Sequence, residues 1–171
     1  MKLIVVALVL AAGALAGQTR QPASLVVVGR SVITQNASRE ILSPGAVAIN
    51  GNLIVDVGTP EAIGGRYRAA QTISVPDQII LPGLINTHTH APMVMYRGLA
   101  DDLALMEWLN KYIFPAEAKT VSPEMVRVGT RLAALEMIES GTTTYVDMYY
   151  FEEEIARATR QETQLSVLIF D

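Results

Sequence analysis

Near Gly83 the hydrophobic period of the chain changes, and that change leaves few architectures open. From Ser24 to Leu81 the apolar residues come in short runs rich in valine and isoleucine: SLVVVGRSVIT, GAVAING, NLIVDVG, TISV and QIILPG. Such runs, separated by turn residues, read as β-strands, and Asn50-Gly51 between two of them is a type I′ hairpin signal. Pro76 and Pro82 mark breaks, and no helix of useful length fits this region. Beyond Gly83 the spacing becomes helical in DLALMEWLNKYIF and again in SPEMVRVGTRLAALEMIESG. The second of these has Ser122 as N-cap, Pro123 at the first helical position, Met125, Val128, Leu132 and Leu135 along one face, and Gly141 as a stop. TTTYVDM then reads as a strand, FEEEIARATRQET as a shorter helix and LSVLIF as a buried strand. Strand, helix, strand, helix, strand is the order of a parallel sheet or barrel with crossover helices, so the fold class is α/β.

The composition narrows the chemistry. With 50% apolar and 18% charged residues the chain belongs among folded globular proteins. A net charge of -4 provides no basic footprint, which argues against nucleic acid and anionic membrane surfaces as partners. There is no cysteine, hence no disulfide framework, thiol nucleophile or thiolate ligand, and any metal must be held by nitrogen and oxygen. The N-terminus has Lys2, an apolar run from Leu3 to Leu15 and a small-residue site at Ala14-Leu15-Ala16. That is the pattern of a signal peptide over residues 1–16, cleaved near Ala16, and it predicts a secreted or periplasmic protein that meets the membrane only during export. The run is too short for a membrane span, which needs about 20 residues.

Both histidines of the chain lie in LPGLINTHTHAP, as His88 and His90. On a strand, residues two apart project to the same side, so the two imidazoles can share one metal ion while Thr89 points away. Imidazole is a neutral ligand for zinc and suits iron and nickel, and a site with an open position for water is hydrolytic. Two partly exposed loop histidines are the alternative for a bare His-x-His. The pair follows IILPGLIN, at the carboxyl end of an apolar strand, where barrel active sites are built.

PGLINTHTHAPMVMYRGLADDLALMEWLNKYIFPAEAK, together with GTTTYVDMYYF, resembles the amidohydrolase superfamily. Within it the similarity is to hydrolytic deaminases of adenosine-type compounds, S-adenosylhomocysteine and methylthioadenosine deaminases, a branch that includes triazine chlorohydrolases. The resemblance runs from about Leu25 to the end of the chain. It implies a (β/α)8 metal-dependent hydrolase barrel preceded by part of a small β-sandwich: residues 24–81 in the sandwich, and 82–171 as the first strands and helices of the barrel. It further implies that His88 and His90 ligate one divalent metal, zinc or alternatively iron. Trp108 in MEWL resembles an aromatic residue flanking the substrate ring, and Glu117 in FPAEAK a carboxylate that accepts hydrogen bonds from sugar hydroxyls. Read without the resemblance, Trp108 is a core residue of an amphipathic helix and Glu117 a solvated charge.

The implied partner is a small molecule, a purine nucleoside or related heterocycle, and the implied reaction is hydrolytic deamination. Alternatives are guanine or cytosine deamination, triazine dechlorination, or a non-catalytic exported remnant. The family takes two further histidines, an aspartate and a proton-transferring glutamate from later strands, and this chain has no third histidine. The chain therefore reads as the N-terminal portion of a longer enzyme, inactive by itself, with no catalytic acid or base of its own. Asp147, near the end of a strand, is not a family ligand and is read as a cap for the following helix. Asp101 and Asp102 are read as starting a helix at Leu103, Gly98 as supplying a turn beside Arg97, and Glu152 to Glu154 as a helix N-terminus.

Overall fold

The computed structural model describes residues 19–162 and 165–169, and the expected signal peptide lies outside the described residues. The chain divides into two units, Met1–Pro82 and Gly83–Asp171.

The first unit is a five-stranded mixed sheet. Its central strand β1 (Gln21–Ile33) pairs along one edge, antiparallel, with β2 (Ile41–Leu42) and β3 (Gly45–Asn50), which keep a single register across Ser43-Pro44. β4 (Leu53–Gly58) pairs antiparallel with β3, and β5 (Tyr67–Ile80) runs parallel to β1 on its other edge. Pro76 does not end a strand. β5 is continuous through it, because Pro76-Asp77-Gln78 bulge out opposite Arg30 between the pairs Gly29–Val75 and Ser31–Ile79, where a missing N–H does no harm. Gly29 makes room there, since a Cβ at this position would lie 2.9 Å from the Ile80 side chain. The β3–β4 turn is one residue later than expected. Asn50 pairs with Leu53, so Gly51 and Asn52 form the loop, and Gly51 at φ +61° takes the first position as a type II′ turn requires.

A helix also stands where none was expected: α1 (Pro60–Arg66). Thr59 caps it, its hydroxyl accepting from the Ala62 N–H at 3.2 Å, and Pro60 opens it. Gly64 and Gly65 weaken its propensity, so what holds it is Ile63, fully buried in a cluster with Ala23, Val26, Ala46 and Ala48. The alanines leave the space that the isoleucine fills.

The second unit is a three-stranded parallel sheet in the order β6 (Leu84–Thr89), β7 (Thr142–Asp147), β8 (Ser166–Ile169). IILPGLIN is thus divided between β5 and β6, with Leu81-Pro82-Gly83 separating them. After β6 come a 3-10 helix (Ala91–Tyr96) and a helix in three parts, α2 (Leu105–Trp108), a π-helical stretch (Leu109–Ile113) and α3 (Phe114–Thr120). The helix begins at Leu105 with Ala104 as N-cap rather than at Leu103, and Asp102 sits at φ +62° in the preceding turn, so Asp101 and Asp102 do not start it. Gly98, at φ +78°, makes a turn. α4 (Pro123–Glu139) and α5 (Glu152–Glu162) complete the unit.

α4 begins as its sequence predicts, with the Ser122 hydroxyl accepting from Met125 N–H at 3.2 Å. Its buried face is not the large apolar one. Val128, Leu132 and Leu135 are exposed, whereas Val126, Gly129, Thr130, Ala133 and Ala134 are buried. Small residues face inward because the 3-10 helix approaches closely: a Cβ on Gly129 would lie 2.7 Å from the Pro92 carbonyl oxygen. Around this contact Ala91, Val126, Ala133, Tyr145 and Ile155 form the core of the unit. Among the described residues no helix is long and apolar enough to cross a membrane.

Candidate active site

His88 is the penultimate residue of β6, and His90 is the first beyond its end. Their rings lie on the same side, with centroids 5.2 Å apart and planes at 79°. The end of β7 holds this corner. Met148 N–H donates to the Thr89 carbonyl at 3.4 Å, the Asp147 carboxylate accepts from Ala91 N–H at 2.7 Å, and His90 Nδ1 donates to the Met148 carbonyl. A carbonyl can only accept, so Nδ1 carries a hydrogen, and of the two neutral tautomers the bond selects the one whose Nε2 lone pair can reach a metal. Asp147 therefore caps the turn after β6, not the helix after β7. It is fully buried, and burial pushes its carboxyl up to about 6, against the opposing hydrogen bond from Ala91. Among the described residues its Oδ1 has no hydrogen-bond partner.

The pair opens on a cavity of about 590 Å³ whose walls include His88, His90, Trp108, Glu117 and Tyr149. Leu105, Leu109, Ile113 and Phe114 supply apolar surface. All four residues singled out in the sequence thus meet at one cavity. Trp108 donates its indole N–H to the Leu99 carbonyl at 3.0 Å, which fixes the ring and leaves it no polar function. Glu117 is not a solvated charge: it is 8% exposed, and Tyr149 donates its hydroxyl to Glu117 Oε1 at 2.8 Å.

The π-helical stretch explains how Trp108 and Glu117 can share a cavity. At about 100° per residue, positions nine apart on an unbroken α-helix fall about 180° apart. One extra residue in the widened turn reduces that to about 80°. Pro115 provides the cause, since it has no N–H for the Lys111 carbonyl and its ring would crowd that group. Tyr149 was not singled out in the sequence. The available signal was the aromatic run Tyr149-Tyr150-Phe151 just past the carboxyl end of β7. Its phenol is held well above its ordinary ionisation range, first by burial and then by Glu117, so it remains a donor.

This parallel β/α unit carries its two imidazoles at the carboxyl end of its first strand, the face on which barrel proteins build their sites. Residues 79–170, more than half of the chain, match the amidohydrolase family, and the chain belongs to that family. It is 48% identical over 136 residues to 5-methylthioadenosine/S-adenosylhomocysteine deaminase 1 of Syntrophus aciditrophicus, covering 80% of this chain and 31% of the relative. It is 51% identical over 138 residues to the 5-methylthioadenosine/S-adenosylhomocysteine deaminase of Syntrophobacter fumaroxidans, covering 81% and 31%. The crystal structure of an adenosine deaminase from Xanthomonas campestris with bound zinc superposes with a TM-score of 0.78 at 39% identity, over 84% of this chain and 33% of that one. The chain thus spans about a third of the length of these relatives.

Proposed function

We propose that the protein carrying this chain is a metal-dependent deaminase of adenosine-type nucleosides, in which residues 82–171 form the first part of a (β/α)8 barrel. The observation that carries this reading is the convergence of His88, His90, Trp108 and Glu117 on one cavity, in a chain similar to such deaminases.

His88 and His90 would hold the divalent ion, zinc in the first place because the similar Xanthomonas deaminase binds it. Among the described residues no group of three or more His, Cys, Asp or Glu side chains could hold a metal, so the pair supplies part of a ligand set. The donors fit that part, since the His90 ring is fixed through Nδ1 and Met148, which leaves Nε2 as the nitrogen that would bind. When bound, the ion supplies Lewis acidity and activates water at neutral pH. Trp108 flanks the base, Glu117 accepts from the sugar hydroxyls, and Leu105, Leu109 and Ile113 offer apolar wall to the ligand. In the net reaction water adds at the amino-bearing carbon of the purine, the carbon–nitrogen bond breaks and ammonia leaves. Activity is assigned to the whole protein rather than to this segment alone. The N-terminal pattern supports export to the periplasm or the medium.

The test is zinc content and deamination of methylthioadenosine, S-adenosylhomocysteine and adenosine by the whole protein and its His88→Ala variant. The variant should lose zinc and slow the reaction by more than about 100-fold, the upper end of what loss of mere supporting groups does. Full zinc content and rate in His88→Ala would overturn the reading.

A further inference from the structure

Resting on the reading of Glu117 as the carboxylate for the sugar hydroxyls, we propose that Tyr149 is its positioning residue and thereby sets the preference for a ligand with vicinal hydroxyls. Tyr149 stands on the segment between β7 and α5, and Glu117 on α3, so one hydrogen bond of 2.8 Å joins two separate parts of the cavity wall. Among the described residues no other side chain is hydrogen-bonded to the Glu117 carboxylate, and no ion pair reaches it. A buried carboxylate on rotatable bonds needs such a partner to keep one orientation. By occupying Oε1, the phenol leaves Oε2 for the cavity that Glu117 lines.

Tyr149 is itself anchored. Its backbone N–H donates to Glu152 Oε1, and its ring stands 6.2 Å from that of His90, tilted by 44°. The same residue therefore borders the imidazole pair at one end and the carboxylate at the other. A hydroxyl-binding carboxylate fixed relative to the metal ligands fixes the distance between the sugar and the reacting carbon. Tyr149 acts through Glu117 and needs no contact with the nucleoside to do so.

The experiment measures, in the whole metal-loaded protein, the affinity for adenosine and for 2′,3′-dideoxyadenosine in the wild type, Tyr149→Phe and Glu117→Gln. Tyr149→Phe removes the hydroxyl and keeps the ring, and near-ultraviolet circular dichroism verifies that the ring still packs. The expected result is adenosine binding weakened about tenfold in Tyr149→Phe with dideoxyadenosine binding unchanged, as for loss of a hydrogen bond to a charged group that serves the hydroxyls alone. A general structural role would weaken both ligands alike and would overturn the proposal. An unchanged preference in Tyr149→Phe together with a lost preference in Glu117→Gln overturns the role of Tyr149 and leaves that of Glu117 standing. An unchanged preference in both variants overturns the Glu117 reading and the proposal with it.

Discussion

In the first unit the described residues withdrawn from solvent are glycines, alanines, valines and Ile63, none with a polar side chain, whereas the second withdraws Glu117, Thr130, Asp147 and Thr159 as well. Burying a polar group is unfavourable unless it is hydrogen-bonded. The second unit meets that condition group by group: Thr130 donates to the Val126 carbonyl at 2.7 Å, Thr159 to the Ile155 carbonyl at 2.8 Å, and Asp147 accepts from Ala91. Thr130 uses a helix carbonyl of its own segment and serves packing, and Thr159 adds to its own helix carbonyl a hydrogen bond with the Tyr145 hydroxyl that packs α5 on β7. Glu117 and Asp147 use partners distant in sequence, and both stand beside the histidine pair. Where a buried acidic group is held by a remote part of the chain, its position is being specified, and that occurs around the candidate site and not in the first sheet.

The largest effect expected is on the first unit. Ile63→Ala should cost about 2–5 kcal/mol in urea unfolding, because the alanines around it cannot collapse into the space, while nucleoside affinity stays as it was. The contrast between the units is lost if affinity falls in parallel with stability. A smaller effect follows from Asp147→Ala, which leaves the buried Ala91 N–H without its acceptor and should cost about 1–3 kcal/mol. Here zinc content, measured beside the unfolding curve, should fall too, since the same corner orients His90. Asp147→Asn retains an acceptor and should lose less of both.

The smallest effect belongs to an exposed pair. Arg97 donates to both carboxylate oxygens of Glu136, at 2.9 and 2.6 Å, and this holds the Glu136 carboxyl below its ordinary range. The folded state then binds that proton less readily than the unfolded chain. Its contribution is present above the ordinary carboxylate pKa and is lost as pH falls through the lowered value. Thermal unfolding of Arg97→Ala should differ only slightly from wild type near neutrality, with the difference vanishing in acid and in high salt. A large or salt-independent difference would mean that this surface pair is part of the positioned set.

Much of this architecture was legible because its signals are local. The valine runs of β1, the Ser122-Pro123 start of α4 and the His-x-His at the end of β6 each declare themselves within a few residues. Misreadings arose where a distant partner decides. α1 has two glycines and forms because Ile63 fills a space lined by alanines of β1 and β3. The inward face of α4 is its small-residue face because Pro92 lies against Gly129. Asp147 caps a turn 56 residues earlier in the chain, which the spacing around Asp147 could not announce.

Residue type and local spacing, then, settled most of the strands and helices, though not α1, and which side chains have the donor chemistry for a metal, since propensity, capping and donor chemistry are properties of short stretches. Tertiary structure alone decided that Tyr149 meets Glu117, that a widened turn before Pro115 brings Trp108 round toward that carboxylate, and that Met148 selects the tautomer of His90. Each of these depends on a distance or an angle between groups that the chain brings together only when its apolar surfaces pack.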